Sequence, residues 1–109
     1  MKNIKDNKTI INDLKSLLNF HFPELIENVI LFGSQIDGKS REYSDYDILI
    51  VLREQYNWKL ENEIIDVCYD IDLKYDIVTD IKVISKNELN EPRGKQTYIQ
   101  SALTTGLYA

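Results

Sequence analysis

Asp45 and Asp47 are the residues whose type and spacing point most directly to chemistry. They stand two apart at the head of an apolar run, Ile48-Leu49-Ile50-Val51-Leu52, which reads as a buried strand. Side chains alternate across a strand, so both carboxylates project from one face on a backbone fixed by the sheet. Two neighbouring carboxylates repel unless a cation sits between them. Mg²⁺ takes hard oxygen ligands, commonly one or two carboxylates completed by phosphate oxygens and water. The plain alternative, two solvated charges at a strand end, is the commoner fate of a lone Asp-x-Asp.

The loop ahead of this pair admits two phosphate readings. Residues 33–40, Gly-Ser-Gln-Ile-Asp-Gly-Lys-Ser, satisfy the P-loop pattern G-x-x-x-x-G-K-[ST] and come directly after an apolar run, Asn28 to Phe32. In a P-loop the lysine and serine open a long helix whose N-terminal N–H groups hold the phosphates. Here only Arg41-Glu42-Tyr43-Ser44 separates Ser40 from the strand at Asp45, barely one helical turn. The second reading uses Gly33-Ser34 alone, as a tight turn aiming backbone N–H groups and a hydroxyl at a phosphate.

The stretch Leu31-Phe32-Gly33-Ser34, a later Gly38, and Ser44-Asp45-Tyr46-Asp47 leading an apolar strand resembles the DNA polymerase beta-like nucleotidyltransferase superfamily. Within it the chain looks most like the minimal nucleotidyltransferases, the MNT group, which are single small domains. The likeness is strongest over residues 29–52. It implies metal-dependent transfer of a nucleoside monophosphate, AMP from ATP, to an acceptor hydroxyl, with Asp45 and Asp47 as catalytic metal ligands. It implies two Mg²⁺ ions, Mn²⁺ being an alternative, and Gly33, Ser34 and Lys39 as nucleotide-binding residues. It also implies a third carboxylate on a later strand. Asp80-Ile81-Lys82-Val83-Ile84-Ser85 has the family's spacing from Asp to a helix-opening Ser, so Asp80 is the expected third ligand, with Asp76 in reserve. Gln35 stands where relatives often carry Arg after Gly-Ser, and Lys39 or Arg41 are the cations available to replace it. MNT proteins are often half of a toxin–antitoxin pair, which implies a separate helical HEPN-type partner that the chain modifies. The alternative is a catalytically weak binding module that neutralises its partner by masking it. Seven tyrosines, including Tyr43, Tyr46 and Tyr56 around the motif, offer rings for base stacking, although packing is the commoner use; none is assigned.

The positioning elements can be read from apolar periodicity. Ile10, Ile11, Leu14, Leu17 and Leu18 mark an amphipathic helix ended by Pro23, and Leu60, Ile64, Cys68, Ile71 and Tyr75 mark a second. Strands are expected over 29–32, 45–52 and 77–84. Ser85-Lys86-Asn87-Glu88 has the form of a capping box and should open a short helix, which Pro92 interrupts. A last helix is expected from about Lys95 to Leu103, before Gly106. The expectation is an α/β (α+β) nucleotidyltransferase fold: one domain over 1–109, with a small mixed sheet of three to four strands and helices packed mainly on one face.

Composition sets the outer limits. The chain has 109 residues and a net charge of −5. Phosphate-backbone binding relies on Lys and Arg, so an acidic chain is a poor general nucleic-acid binder. No apolar run approaches the ~20 residues of a membrane-spanning helix, and the polar N-terminus lacks a signal-peptide core; the cytoplasm is the expected location. One cysteine and one histidine exclude a Cys/His zinc site of the usual kind and an internal disulfide. Cys68 reads as core and His21 as a helix-end residue. If the chain carries only the nucleotide half of a site, its partner should dock on exposed apolar side chains, expected on the 95–108 segment.

Overall fold

The structure, a computed structural model, describes residues 6–37 and 45–109. Helix α1 (Asn7–His21) opens at Asp6, whose carboxylate accepts from Lys8 N–H at 3.3 Å and from Thr9 Oγ1 at 2.8 Å, an ordinary N-cap. It buries Ile10, Ile11, Leu14 and Leu18, while His21 ends it in solvent. Strand β1 (Ile26–Phe32) leads into a four-residue helix α2 (Ser34–Asp37), and β2 spans Tyr46–Leu52. Helix α3 (Trp58–Tyr75), capped by Asn57 accepting from Leu60 N–H at 2.9 Å, crosses to β3 (Thr79–Ser85). Two 3-10 turns (Lys86–Asn90 and Pro92–Lys95), α4 (Thr97–Thr105) and a two-residue strand β4 (Leu107–Tyr108) complete the described chain.

The sheet order is β3-β2-β1-β4. β2 runs parallel to β3 and antiparallel to β1, and β4 is antiparallel to β1. The apolar run of β2 is unbroken because both of its faces are covered. Ile48, Ile50 and Leu52 join Val29, Leu31 and Val83 beneath α1 and α3. Leu49 and Val51 join Ile30, Phe32 and Ile84 against Ile99 and Ala102 of α4. The mixed α/β sheet and the two long helices on one face are as expected, with the short α4 closing the other.

Local differences have local causes. β1 begins three residues before the expected 29–32, because Ile26 pairs with Leu52 and Asn28 with Val51, the register shifting at Glu27 between them. β3 begins at Thr79 rather than 77, because Asp76 ends α3 in a left-handed conformation (φ 54°) and Ile77 N–H is spent on Asp72 O. The capping box at Ser85 and Glu88 is formed. β4 is too short to leave a periodic signal. The 95–108 segment does not carry the exposed apolar surface expected of it. Its helix turns Ile99 and Ala102 into the core, and the large exposed apolar side chains lie mainly on α1 and α3.

Ile50 is fully buried between β2 and the α1–α3 layer. Ile50→Ala is expected to lower stability by about 2–5 kcal/mol, read as a lower urea midpoint with an unchanged slope.

Candidate active site

Register brings the candidate residues together. In the antiparallel β1–β2 pair Phe32 stands opposite Asp47, so the chain turns at Gly33 directly beside that carboxylate. Gly33 has φ +79°, a left-handed conformation that L side chains rarely adopt, and a Cβ there would overlap Asp47 Oδ2. Glycine therefore serves twice, for the turn and for room. The turn closes with Ile36 N–H donating to Gly33 O at 3.0 Å, and Ser34 opens α2; its side chain lies outside the described residues. Gly38, Lys39, Ser40, Arg41, Tyr43 and Ser44 also lie outside them, so the Lys39 assignment has no geometry to support or oppose it.

The parallel β2–β3 pair places Asp80 beside Asp47. Ile84 packs in the same cluster as Leu49 and Val51, so Asp80, Lys82 and Ile84 share the sheet face of Asp47. Lys82 Nζ lies 3.2 Å from Asp80 Oδ1. Burial pushes the Asp47 carboxyl above the usual aspartate value; the charges of Asp80 and then Asp45 push it further, and Lys82 partly offsets them. Asp45 is exposed and precedes the strand, whose next residue, Tyr46, donates its N–H to Val78 O at 2.8 Å. Asp76 is exposed at the α3 C-cap, off the strand, and is not among the charges that shift Asp47. Among the described residues no three carboxylate, thiol or imidazole groups stand close enough to hold one ion. The groups that register does bring side by side, the Asp47 and Asp80 carboxylates, are hard oxygen donors of the kind divalent cations take, and Lys82 holds the cationic position beside Asp80.

A surface cavity of about 740 Å³ opens next to this turn, lined by Phe32, Gly33, Gln96, Thr97, Tyr98 and Ser101. The Phe32 and Tyr98 rings stack at 6.5 Å between centroids and 27° between planes. Residue patterns gave no warning of this cavity, because α4 reaches β1 from the far end of the chain. Tyr46 instead packs in the α1–α3 core, and Tyr56 donates to Val83 O at 2.9 Å and accepts from Arg93 Nη1 at 3.1 Å. Those two rings serve packing. Cys68 is core as expected, its thiol pushed up to about 12 by burial.

Topology decides between the two loop readings. A P-loop comes after a strand that crosses over through a helix to a parallel neighbour. Here the strand before the loop pairs antiparallel with the strand after it. The family described as polymerase beta, nucleotidyltransferase matches residues 12–102. The chain belongs to this nucleotidyltransferase family. Two proteins of Methanocaldococcus jannaschii that carry the provisional name protein adenylyltransferase are similar to it. One is 36% identical over 63% of this chain and 70% of its own length, the other 35% identical over 84% and 82%. A chain in the structure of a tri-AMPylated Shewanella oneidensis HEPN toxin with its MNT antitoxin shares the fold, with a TM-score of 0.53 at 20% identity over 93% of this chain and 69% of that one. Nucleotidyltransferases of this family generally use divalent metals.

A raised Asp47 means that the metal-free folded state holds its proton more tightly than the unfolded chain does. Ionising it therefore opposes folding. In chelator, wild type should lose stability relative to Asp47→Asn as pH rises from near 3.8 through the raised value, and the gap should close below it. Thermal melts across pH would show it.

Proposed function

We propose that the chain transfers AMP from ATP to a hydroxyl group on a separate helical protein of HEPN type, with Asp45, Asp47 and Asp80 as catalytic metal ligands. The observation that carries this reading is the placement of Asp47, which faces the glycine turn on one side and Asp80 on the other. Divalent ions there, two Mg²⁺ by family resemblance, would lower the pKa of the attacking hydroxyl and neutralise the triphosphate.

The chain's own residues supply position and charge. Gly33 and Ser34 take the terminal phosphates, helped by Lys39 from the adjoining loop. The Phe32–Tyr98 cavity is large enough for a nucleoside and lies one residue from that turn. With the sugar and base there, the α-phosphate falls over the carboxylate face. The acceptor oxygen forms a bond to the α-phosphorus, the bond to the bridging oxygen breaks, and pyrophosphate leaves with the electron pair. Catalysis of this kind is mainly positioning and electrostatics. The names of the two archaeal relatives support adenylyl transfer to protein, and the toxin–antitoxin neighbour supports the partner class.

A second reading is favoured by one contact. Lys82 neutralises Asp80 at 3.2 Å, and Gln35 replaces the expected arginine, features that suit a module binding its partner without rapid chemistry. Label transfer from ATP to the partner separates the two readings.

Asp45→Asn should reduce Mg²⁺-dependent ATP binding and transfer by orders of magnitude while folding survives, whereas Lys39→Ala should do much less. Calorimetry with ATP and Mg²⁺ followed by a transfer assay tests both. Intact transfer in Asp45→Asn with a dead Lys39→Ala would overturn the assignment. Tyr98→Ala should weaken ATP binding by about tenfold, the loss of one stacking contact of 1–3 kcal/mol, and leave tripolyphosphate binding unchanged.

A further inference from the structure

Helix α3 carries two surfaces. Ile64, Cys68 and Ile71 face the sheet and are buried. Trp58, Ile65, Tyr69 and Leu73 recur at spacings of seven, four and four and form a second apolar stripe on the outward side. They are 71%, 39%, 58% and 65% exposed, which is a contiguous patch rather than scattered single residues. Glu63, Asp66 and Asp70, spaced three and four apart, run as an exposed row along the border nearer α1. None of these three carboxylates has an ion-pair partner among the described residues. Beside the row lies a shallow groove of about 380 Å³ between α1 and α3, lined by Leu17, Phe20 (79% exposed), Asp70 and the Asp13–Lys74 ion pair at 2.6 Å.

We infer that this face of α3 docks an amphipathic helix of a partner protein whose apolar stripe is bordered by lysine or arginine. The apolar stripe supplies the buried contact, and the carboxylate row fixes orientation by meeting the basic border over the α1–α3 groove. A second copy of this chain does not fit. In an antiparallel α3–α3 pair with the two stripes in register, Glu63, Asp66 and Asp70 would face their own kind, a like-charge repulsion against this self-pairing. The face lies on the α1–α3 side of the sheet, opposite the carboxylate face, so a docked helix leaves the nucleotide site open. The inference rests on the proposed reading only in assuming that the chain works with another protein.

Trp58 is the only tryptophan and heads the stripe, so its emission reports whether the face is covered. The probes are two synthetic amphipathic helices of about five turns with one leucine stripe, bordered by lysine in one and by glutamate in the other. The lysine-bordered peptide should shift Trp58 emission to the blue and saturate; the glutamate-bordered one should bind at least about tenfold more weakly. Tyr69→Ser with Leu73→Ser should weaken the first peptide by at least about tenfold, and Asp66→Lys with Asp70→Lys should reverse the preference. All these side chains are exposed, so the melting temperature should hold. Mg²⁺-dependent ATP binding, measured alongside, should not change. No shift with either peptide, equal binding of both, or a concentration-dependent dimer that itself shifts Trp58 would overturn the inference. Lost ATP binding in wild type would instead overturn the nucleotidyl-transfer reading and leave the docking result to stand by itself.

Discussion

The structure depends on holding carboxylates of like sign side by side at the edge of an apolar sheet. Burial raises the Asp47 pKa, and the charges of Asp80, its parallel-strand neighbour, and of Asp45 two residues before it raise it further. An isolated surface carboxylate would turn away into water. Asp47 cannot easily do so, because its backbone sits in ladders with both β1 and β3, and its Oδ2 lies against Gly33. Keeping Asp47 ionised in this setting therefore opposes folding, and either a proton or a nearby cation relieves it. Lys82 supplies one positive charge at Asp80, and on the proposed reading the remaining charge imbalance is what a divalent cation would offset.

This arrangement explains why the surrounding fold is so strongly apolar. Every β2 residue from Ile48 to Leu52 is fully buried, alternate residues going to opposite layers. A strand buried on both faces cannot slip by one residue without exchanging its layers, so the register of Asp47 against Phe32 and Asp80 is set by the packing of residues that have no part in chemistry. α4 covers Leu49 and Val51 but leaves Asp47 half-buried, and its Tyr98 closes the cavity beside the turn. The same helix thus completes the second core layer and shapes the cavity beside the glycine turn.

How much the sequence disclosed depends on the range of the interactions involved. The Asp-x-Asp strand, the glycine turn, both long helices and the capping box at Ser85 are local, and each is legible within a dozen residues. The neighbour relation of Asp80 to Asp47 was an expectation from family spacing; it is expressed in the strand register, whereas shared metal ligation by the three aspartates remains the proposal. Features built from distant segments were illegible. The cavity joins Phe32 to Tyr98 across 66 positions of sequence, and β4 exists because Leu107 and Tyr108 meet Leu31 and Ile30. Tyr46 and Tyr56, adjacent to the motif in sequence, turned out to be packing residues, while a tyrosine far along the chain lines the cavity.

The outward stripe of α3 was hidden for a different reason. Periodicity reports the stronger of two apolar faces, and Leu60, Ile64, Cys68, Ile71 and Tyr75 satisfied the helical pattern by themselves. Trp58, Ile65, Tyr69 and Leu73 then passed as ordinary variation on a long helix, although together they leave α3 apolar on two sides. A helix apolar on two sides belongs between layers, and the described residues supply only one of them. The acidic border restricts what the other can be: three carboxylates that form no ion pair among the described residues favour a basic partner by charge before contact, which raises encounter rates and rejects acidic competitors. On the two proposals the sheet separates the reacting groups on the Asp47 face from a docking surface on the α3 face. Substitutions on one are then expected to leave binding at the other intact, because the fully buried core between them is set by neither.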